Sequence, residues 1–315
     1  MFCCDNFYKN CVERLSEAIR RYREIIERID AANNACCNYY RILSAIMTYN
    51  GKMDSYTSTR LIVFISSLCI FSCLEYFFPF HKRELPRTNR WPHHLMMTFL
   101  CSGAAKIMLP LGLAYFATLV QEHQLGLWHY LPLSPTLKMI FSLIILDLAI
   151  FIEHYFSHKI PFLWRFHRVH HTDIDLDTSS ALRFHPLEIV FSLFYKAIII
   201  MIFGIDLTTI LLFEILLNFM ALFNHSNLAL PKWLEKPLRF LVVTPQMHVI
   251  HHSTEQKESD SNFGFNLSCW DFIFKTYTHT AAKSMVIGQK DCRSAKEQHI
   301  AHLVSQPFKN PLKRS

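Results

Sequence analysis

The sequence is poor in glycine, with 7 in 315 residues, and it lacks several patterns that would assign it to a common class. None of its ten cysteines (3, 4, 11, 36, 37, 69, 73, 101, 269 and 292) stands in C-x-x-C spacing, and Cys69, Cys73 and Cys101 lie inside apolar runs. That argues against a disulfide framework, points to a reducing compartment, and leaves Cys3 and Cys4 as free thiols in preference to palmitoylation sites. The formal charge of +7 forms no basic stripe. Lys and Arg flank apolar runs instead, which suits loops beside anionic lipid headgroups and excludes nucleic acid as the partner. No secretory signal opens the chain, because the first 55 residues are charged. No internal repeat and no pair of broken helices supports a transporter, although Lys106, Glu153 and Lys196 fall inside apolar runs.

What is abundant is apolar and aromatic: 51% hydrophobic residues, with 27 Phe. They gather in runs near the length of a membrane span. The runs are Leu61–Phe80, Leu95–Val120 (interrupted by Lys106 and Pro110, which predicts a kink or an interfacial start), Met139–Phe156, Leu187–Phe203 and Ile205–Phe223. The last two predict a hairpin turning at Gly204-Ile205-Asp206. Ahead of them, Val12, Leu15, Ile19, Tyr22, Ile26 and Ile29 are spaced 3-4-3-4-3, which predicts an amphipathic helix lying on a surface or, over so few heptads, a short dimerising coiled coil. The expected architecture is all-α: an integral membrane helical bundle carrying a cytoplasmic, histidine-rich di-metal cap. Its expected parts are a charged extension at 1–55, membrane-embedded helices at 56–137, a catalytic domain at 138–280 and a polar tail at 281–315.

Orientation follows from charge. Residues 121–137 contain no Lys or Arg and belong outside, whereas 232–315 carry twelve and belong in the cytoplasm. With loop 82–90 also cytoplasmic, a full crossing at Leu61–Phe80 places the N-terminus outside; the alternative is a re-entrant run.

Ten of the eighteen histidines fall in four segments that this topology brings to one membrane face. His154 and His158 are four apart on one helix face, with Asp147 seven before His154. His167, His170 and His171 form H-x-x-H-H, repeated as His248, His251 and His252, with His185 and His225 between. Neutral imidazole ligates iron, copper and zinc, and ten rings supply two metals with four or five ligands each. Asp147 is a candidate to fix a ring tautomer through its second nitrogen. Such a site beside a membrane suits oxygen activation.

These residues resemble the fatty acid hydroxylase/sterol desaturase superfamily, close to its bacterial sterol-desaturase-like branch. The matching stretches are L-W-R-F-H-R-V-H-H-T-D, D-L-D-T-S-S-A-L-R-F-H-P-L-E, F-N-H-S-N-L-A-L-P, V-T-P-Q-M-H-V-I-H-H-S and D-S-N-F-G-F-N-L-S-C-W-D, over about residues 140–280. The resemblance implies a membrane-bound oxidoreductase with two iron ions, O2, a lipid substrate (sterol, fatty acyl or related) to be hydroxylated or desaturated, and a separate reductase, cytochrome or ferredoxin as electron donor, since no cytochrome b5-like haem motif is present. By position, the eight histidines of the three boxes and His225 are implied ligands, and His185 a ligand or a support for one. Asp147 matches the family's aspartate, and Asp260, Asn262 and Gly264 a structural loop. The family's usual Tyr and Arg are replaced by Phe151 and Tyr155, and its usual Gly by Lys275. Trp164, Arg165 and Phe166 line an access route or simply pack. The implied compartment is a bacterial inner membrane, or the endoplasmic reticulum in a eukaryote, with a homodimer possible. The rival reading is a non-catalytic metal- and lipid-binding scaffold.

Overall fold

The computed structural model describes residues 35–109, 112–281 and 285–309 together with Arg20, and for residues 35–55 the backbone alone. The amphipathic segment expected at Val12–Ile29 lies outside the described residues, Arg20 excepted, and so do the side chains of Cys3, Cys4, Cys11, Cys36 and Cys37. The five described cysteines are free. The chain divides into two compact units, Met1–Thr59 and Arg60–Ser315. In the first, the described backbone is helical from Ala35 onward.

The regular elements of the second unit are helices, and among its described residues β-pairing is limited to three isolated bridges. Five helical segments are long and apolar enough to cross a membrane: Tyr56–Phe77, Arg87–His129, Pro135–Lys159, Pro186–Phe203 and Leu207–His225. The first belongs to α1 (Ala35–Phe77) and contains no re-entrant turn. The second comprises α2 (Trp91–Met108) and α3 (Gly112–Glu122), and the interruption expected near Lys106 and Pro110 falls between them. The remaining three are α4 (Pro135–Lys159), α6 (Pro186–Phe203) and α7 (Leu207–His225), with α5 (Pro161–His171) following α4 directly. Short helices complete the unit: α8 (Lys232–Leu238), α9 (Pro245–His251), α10 (Gln256–Ser259), α11 (Cys269–Ile273) and α12 (Ile300–Ser305).

The helices start and stop where local chemistry dictates. Proline, pre-set for the first helical turn, opens α4, α5, α6 and α9. The predicted hairpin turns where expected: Gly204 caps α6 at φ +71°, and the Asp206 carboxylate accepts the Thr209 amide to start α7. Gly204 is also where the backbone of Gly126 passes, too close for a Cβ on either residue. Leu113, Ala117, Val120, Leu146, Ile200 and Phe213 form the core between the spans. Outward, Ile62, Phe99, Ile107 and Ile202 are more than half exposed, a face that suits lipid and not water.

A polar knot ties the membrane helices to the loop after α5. Arg90, fully buried, grips the Asp173 carboxylate with two nitrogens at 2.8 and 2.7 Å and donates to Asp177 at 2.8 Å. Glu75 accepts from the Thr178 amide at 3.0 Å and the Asn227 amide at 2.8 Å, while Asn227 Oδ1 takes the amides of Phe80 and His81. The segment expected as a polar tail folds back onto this knot. Gln298 accepts from Arg183 at 2.5 Å and donates to the Thr172 carbonyl at 3.1 Å, and the Gly288 amide donates to His252 O at 2.9 Å.

Burial alone would raise the Asp173 carboxyl, but the Arg90 guanidinium, with His94 and Arg183, holds it well below the usual carboxylate range. Its contribution is therefore complete above about pH 4 and lost as the pH falls below that. Arg90→Ala strips two buried carboxylates of their closest counter-ion, and thermal or denaturant unfolding of the detergent-solubilised protein should show a loss of about 3–5 kcal/mol at neutral pH, shrinking in acid. A loss below about 1 kcal/mol, the range of exposed pairs, would mean that the knot does not hold the loop.

Candidate metal centre

Nine of the ten predicted histidines meet, and they meet in two groups. His154, His158, His167, His171 and His251 form one; His170, His225, His248 and His252 form the other; within each, the candidate ligand nitrogens all lie within 4.8 Å of one another. Helix geometry permits the sorting, and the packing of α4, α5, α7 and α9 decides it. Residues four apart share a face, while the residue three along is turned to the side. In the first H-x-x-H-H, His167 and His171 serve one group and His170 the other; in the second, His248 and His252 pair and His251 crosses over. Each motif thus straddles both groups.

The nitrogens are spaced as ligands. His171 Nε2 lies 3.1 Å from His158 Nε2 and 3.2 Å from His167 Nε2. In the other group His225 Nε2 is 3.0 Å from both His170 Nε2 and His248 Nε2, and His252 Nε2 is 3.1 Å from His248 Nε2. With metal–nitrogen bonds of roughly 2.0–2.1 Å, neighbouring corners of a coordination polyhedron lie about 3 Å apart. Several second nitrogens are committed elsewhere. His154 Nδ1 meets the Phe263 carbonyl at 2.8 Å, His251 Nδ1 the Ser261 carbonyl at 2.8 Å, and His225 Nδ1 the Ala221 carbonyl at 2.7 Å. A carbonyl only accepts, so each Nδ1 carries the proton and each Nε2 keeps a bare lone pair. His251 Nε2 is buried with no hydrogen-bond partner among the described residues. Burial, reinforced by neighbouring histidines, pushes His170, His171, His248, His251 and His252 well below the usual imidazole value, so these rings are neutral, as ligands must be. The donor set fits two metal ions.

Two predicted site residues do other work. His185 lies outside both groups: it caps α6, accepting the Leu187 amide at Nδ1 (3.2 Å) and donating from Nε2 to the Val304 carbonyl (3.3 Å). Neither nitrogen is left for a metal. Asp147 pairs with no histidine. It accepts from the Asn266 and Leu267 amides and from the Trp270 indole at 2.8 Å, so it fastens the loop after the last histidine box to α4. The carboxylate that does orient a ring is Glu188, 2.6 Å from His167 Nδ1. It stands in the same R-F-H-P-L-E stretch as His185, and it was the residue to single out there. Asp260 Oδ1 lies 3.5 Å from His158 Nδ1.

The loop expected around the site is built as expected. Asp271 accepts the amides of Phe263 and Gly264 at 2.8 Å, and a Cβ on Gly264 would come within 2.7 Å of that carboxylate. Asn262 adopts φ +54°, its amide group joining Met247 O and Thr278. Lys275 takes φ +58°, a conformation that favours glycine. Phe151 stacks on Phe274, and Tyr155 meets Phe263 edge-on, so both rings brace the loop that holds His154. Trp164 packs on His158 and Phe166 on His185. A cavity of about 390 Å³ between the spans ends at His154, His167, His170, His225 and His248, and none of Phe151, Tyr155, Trp164 or Phe166 lines it. Cys292, Glu297 and His302 form a third, separate trio, where Glu297 is already engaged in capping Ser294.

The fatty acid hydroxylase family model matches residues 139–276, which include all nine histidines. Ornithine lipid hydroxylase OlsE of Rhizobium tropici is 25% identical over 221 residues, 69% of this chain and 66% of that protein. Alkylglycerol monooxygenase of Homo sapiens is 27% identical over 136 residues, 42% of this chain and 28% of its own length. Cholesterol 25-hydroxylase of Rattus norvegicus is 26% identical over 217 residues, 64% and 72% respectively. The chain therefore spans less than two thirds of the first two relatives. No solved structure matches it. The family match and the histidine boxes fall on the same residues, which supports the resemblance to the fatty acid hydroxylase/sterol desaturase superfamily.

Proposed function

We propose that this membrane protein is a non-haem di-iron oxygenase that hydroxylates a lipid, using O2 and two electrons from a separate protein donor. One observation carries the reading: nine buried imidazoles converge in two groups at one end of a cavity between membrane-spanning helices. His154, His158, His167, His171 and His251 would hold one ion, and His170, His225, His248 and His252 the other. Iron bound there supplies the redox chemistry, with which O2 becomes an oxidant able to take hydrogen from an unactivated C–H bond. Overall, one oxygen atom enters the C–H bond as a hydroxyl and the other leaves as water with two electrons and two protons. Hydroxylation is favoured over desaturation because the relatives carry hydroxylase and monooxygenase names.

The chain's own residues prepare that reaction. Glu188 and the carbonyls of Phe263, Ser261 and Ala221 fix ring orientation, so the ligand lone pairs point inward before metal arrives. Leu113, Ile150, Leu182, Leu193, Leu217 and Phe265 line the cavity, excluding water and accepting an alkyl chain. The twelve basic residues from Lys232 onward support a cytoplasmic catalytic face. A non-catalytic scaffold has no physical need for nine buried unprotonated rings.

Purified protein should contain two irons per chain by elemental mass spectrometry and consume O2 only with a lipid and a reductant. A single zinc, or no metal after iron-replete reducing purification, would sink the reading. His170→Ala should lose metal and all turnover, whereas His185→Ala should retain both irons; the reverse would reject the ligand assignment. Glu188→Gln should weaken metal affinity by about 10–100-fold, because His167 loses its carboxylate partner. Unchanged loading in a metal titration would remove Glu188 from the site.

A further inference from the structure

The cavity has a second chemical end. Besides Glu188, four charged side chains line it: Arg60, Glu153, Lys196 and Glu214. Arg60 and Glu214 are paired at 2.7 Å, and Glu153 accepts from Ser192 Oγ at 3.2 Å. Lys196 makes no hydrogen bond or ion pair within 4 Å among the described residues, although Glu153 is its charged neighbour. An ammonium group on a membrane-spanning helix, facing a cavity and not neutralised by direct contact, is costly and calls for a partner.

The spacing supplies a ruler. Glu188, Ser192 and Lys196 repeat every four residues and line one face of α6. Glu188 touches His167 at the metal end, so Lys196, eight residues on, stands about 12 Å farther along the helix axis. Leu193, Leu217 and Phe265 supply apolar wall, while Ser192 and Glu153 add polar groups between Glu188 and Lys196. We propose that Lys196 binds an acidic group of the lipid substrate and is the residue that selects it, with oxidation falling well away from the carbon adjacent to that group. This rests on the oxygenase reading for the identity of the reaction, but the binding claim stands on the cavity alone.

The test is equilibrium binding of radiolabelled palmitate and of hexadecanol, equal in chain length, to the purified full chain in detergent. The wild type should hold palmitate at least about tenfold more tightly, the effect expected of a charged hydrogen bond. Lys196→Met should erase the difference by weakening palmitate alone, and Lys196→Arg should restore it. Equal affinities in the wild type, binding of neither probe, or a parallel loss of both in Lys196→Met would overturn the proposal. The wild-type comparison decides even where a variant fails to fold. Iron measured on the same samples separates the two readings: palmitate selectivity without iron supports the anchor and sinks the oxygenase, and iron without selectivity does the opposite. Where turnover is obtained, a hydroxyl on the carbon next to the acid would also overturn the assigned position.

Discussion

Bare imidazole lone pairs repel one another, and this fold holds nine buried histidines with Nε2 atoms as close as 3.0 Å. Shared cations, or an Nε2 proton between neighbouring rings, relieve that repulsion, provided the protein stops the rings from turning away. Carbonyl groups that accept Nδ1 protons do the second job at three positions, and Glu188 at a fourth. The loop that supplies the Ser261 and Phe263 carbonyls is fixed in turn: Asp271 holds the amides of Phe263 and Gly264, and Asp147 those of Asn266 and Leu267 farther along it. The order of dependence runs from metal-facing nitrogen to carbonyl to carboxylate.

The Arg90 and Glu75 knots serve the same constraint from the other side. Buried ion pairs add little net stability once desolvation is counted, so their use here is positional. Arg90 sets the loop that begins at Thr172, directly after His171, and Glu75 joins that loop to Asn227, two residues past His225. Two segments that carry ligands are thereby registered against each other at the end of α1. An apolar core could not do this as well, because hydrophobic contact is indifferent to a shift that a bidentate arginine forbids.

What was legible in the sequence was mostly local. Apolar run lengths gave the spans, and Gly204 with Asp206 gave the hairpin turn, because both depend on residues next to each other. The i, i+4 spacing of His154 with His158 was equally readable. Which group each ring joins was not, since that depends on how α4, α5, α7 and α9 pack. His185, expected as a ligand or a support for one, caps its own helix and reaches Val304, while the contact to a histidine of the two groups belongs to Glu188. Asp147 sits on the predicted helix, but its partners are about 120 residues away. The stretch after residue 285 has no apolar run to announce that it folds, and long-range polar bonds from Gln298 and Gly288 hold it.

Helix α6 joins these themes. Its first turn carries Glu188 against the metal-facing ring of His167, and two turns later the same face carries Lys196. A loop could bring a cation equally near the cavity, yet its distance from the histidines would vary with every backbone fluctuation. A continuous helix capped by His185 at one end and Gly204 at the other fixes the interval at 1.5 Å per residue. Oxidation of one carbon in a chain of chemically similar methylenes requires just such a fixed interval, because nothing in the C–H bonds themselves distinguishes them. On this view the selectivity of the site lies in the rigidity of the helix that connects its two ends, and the histidines supply reactivity without choosing where it falls.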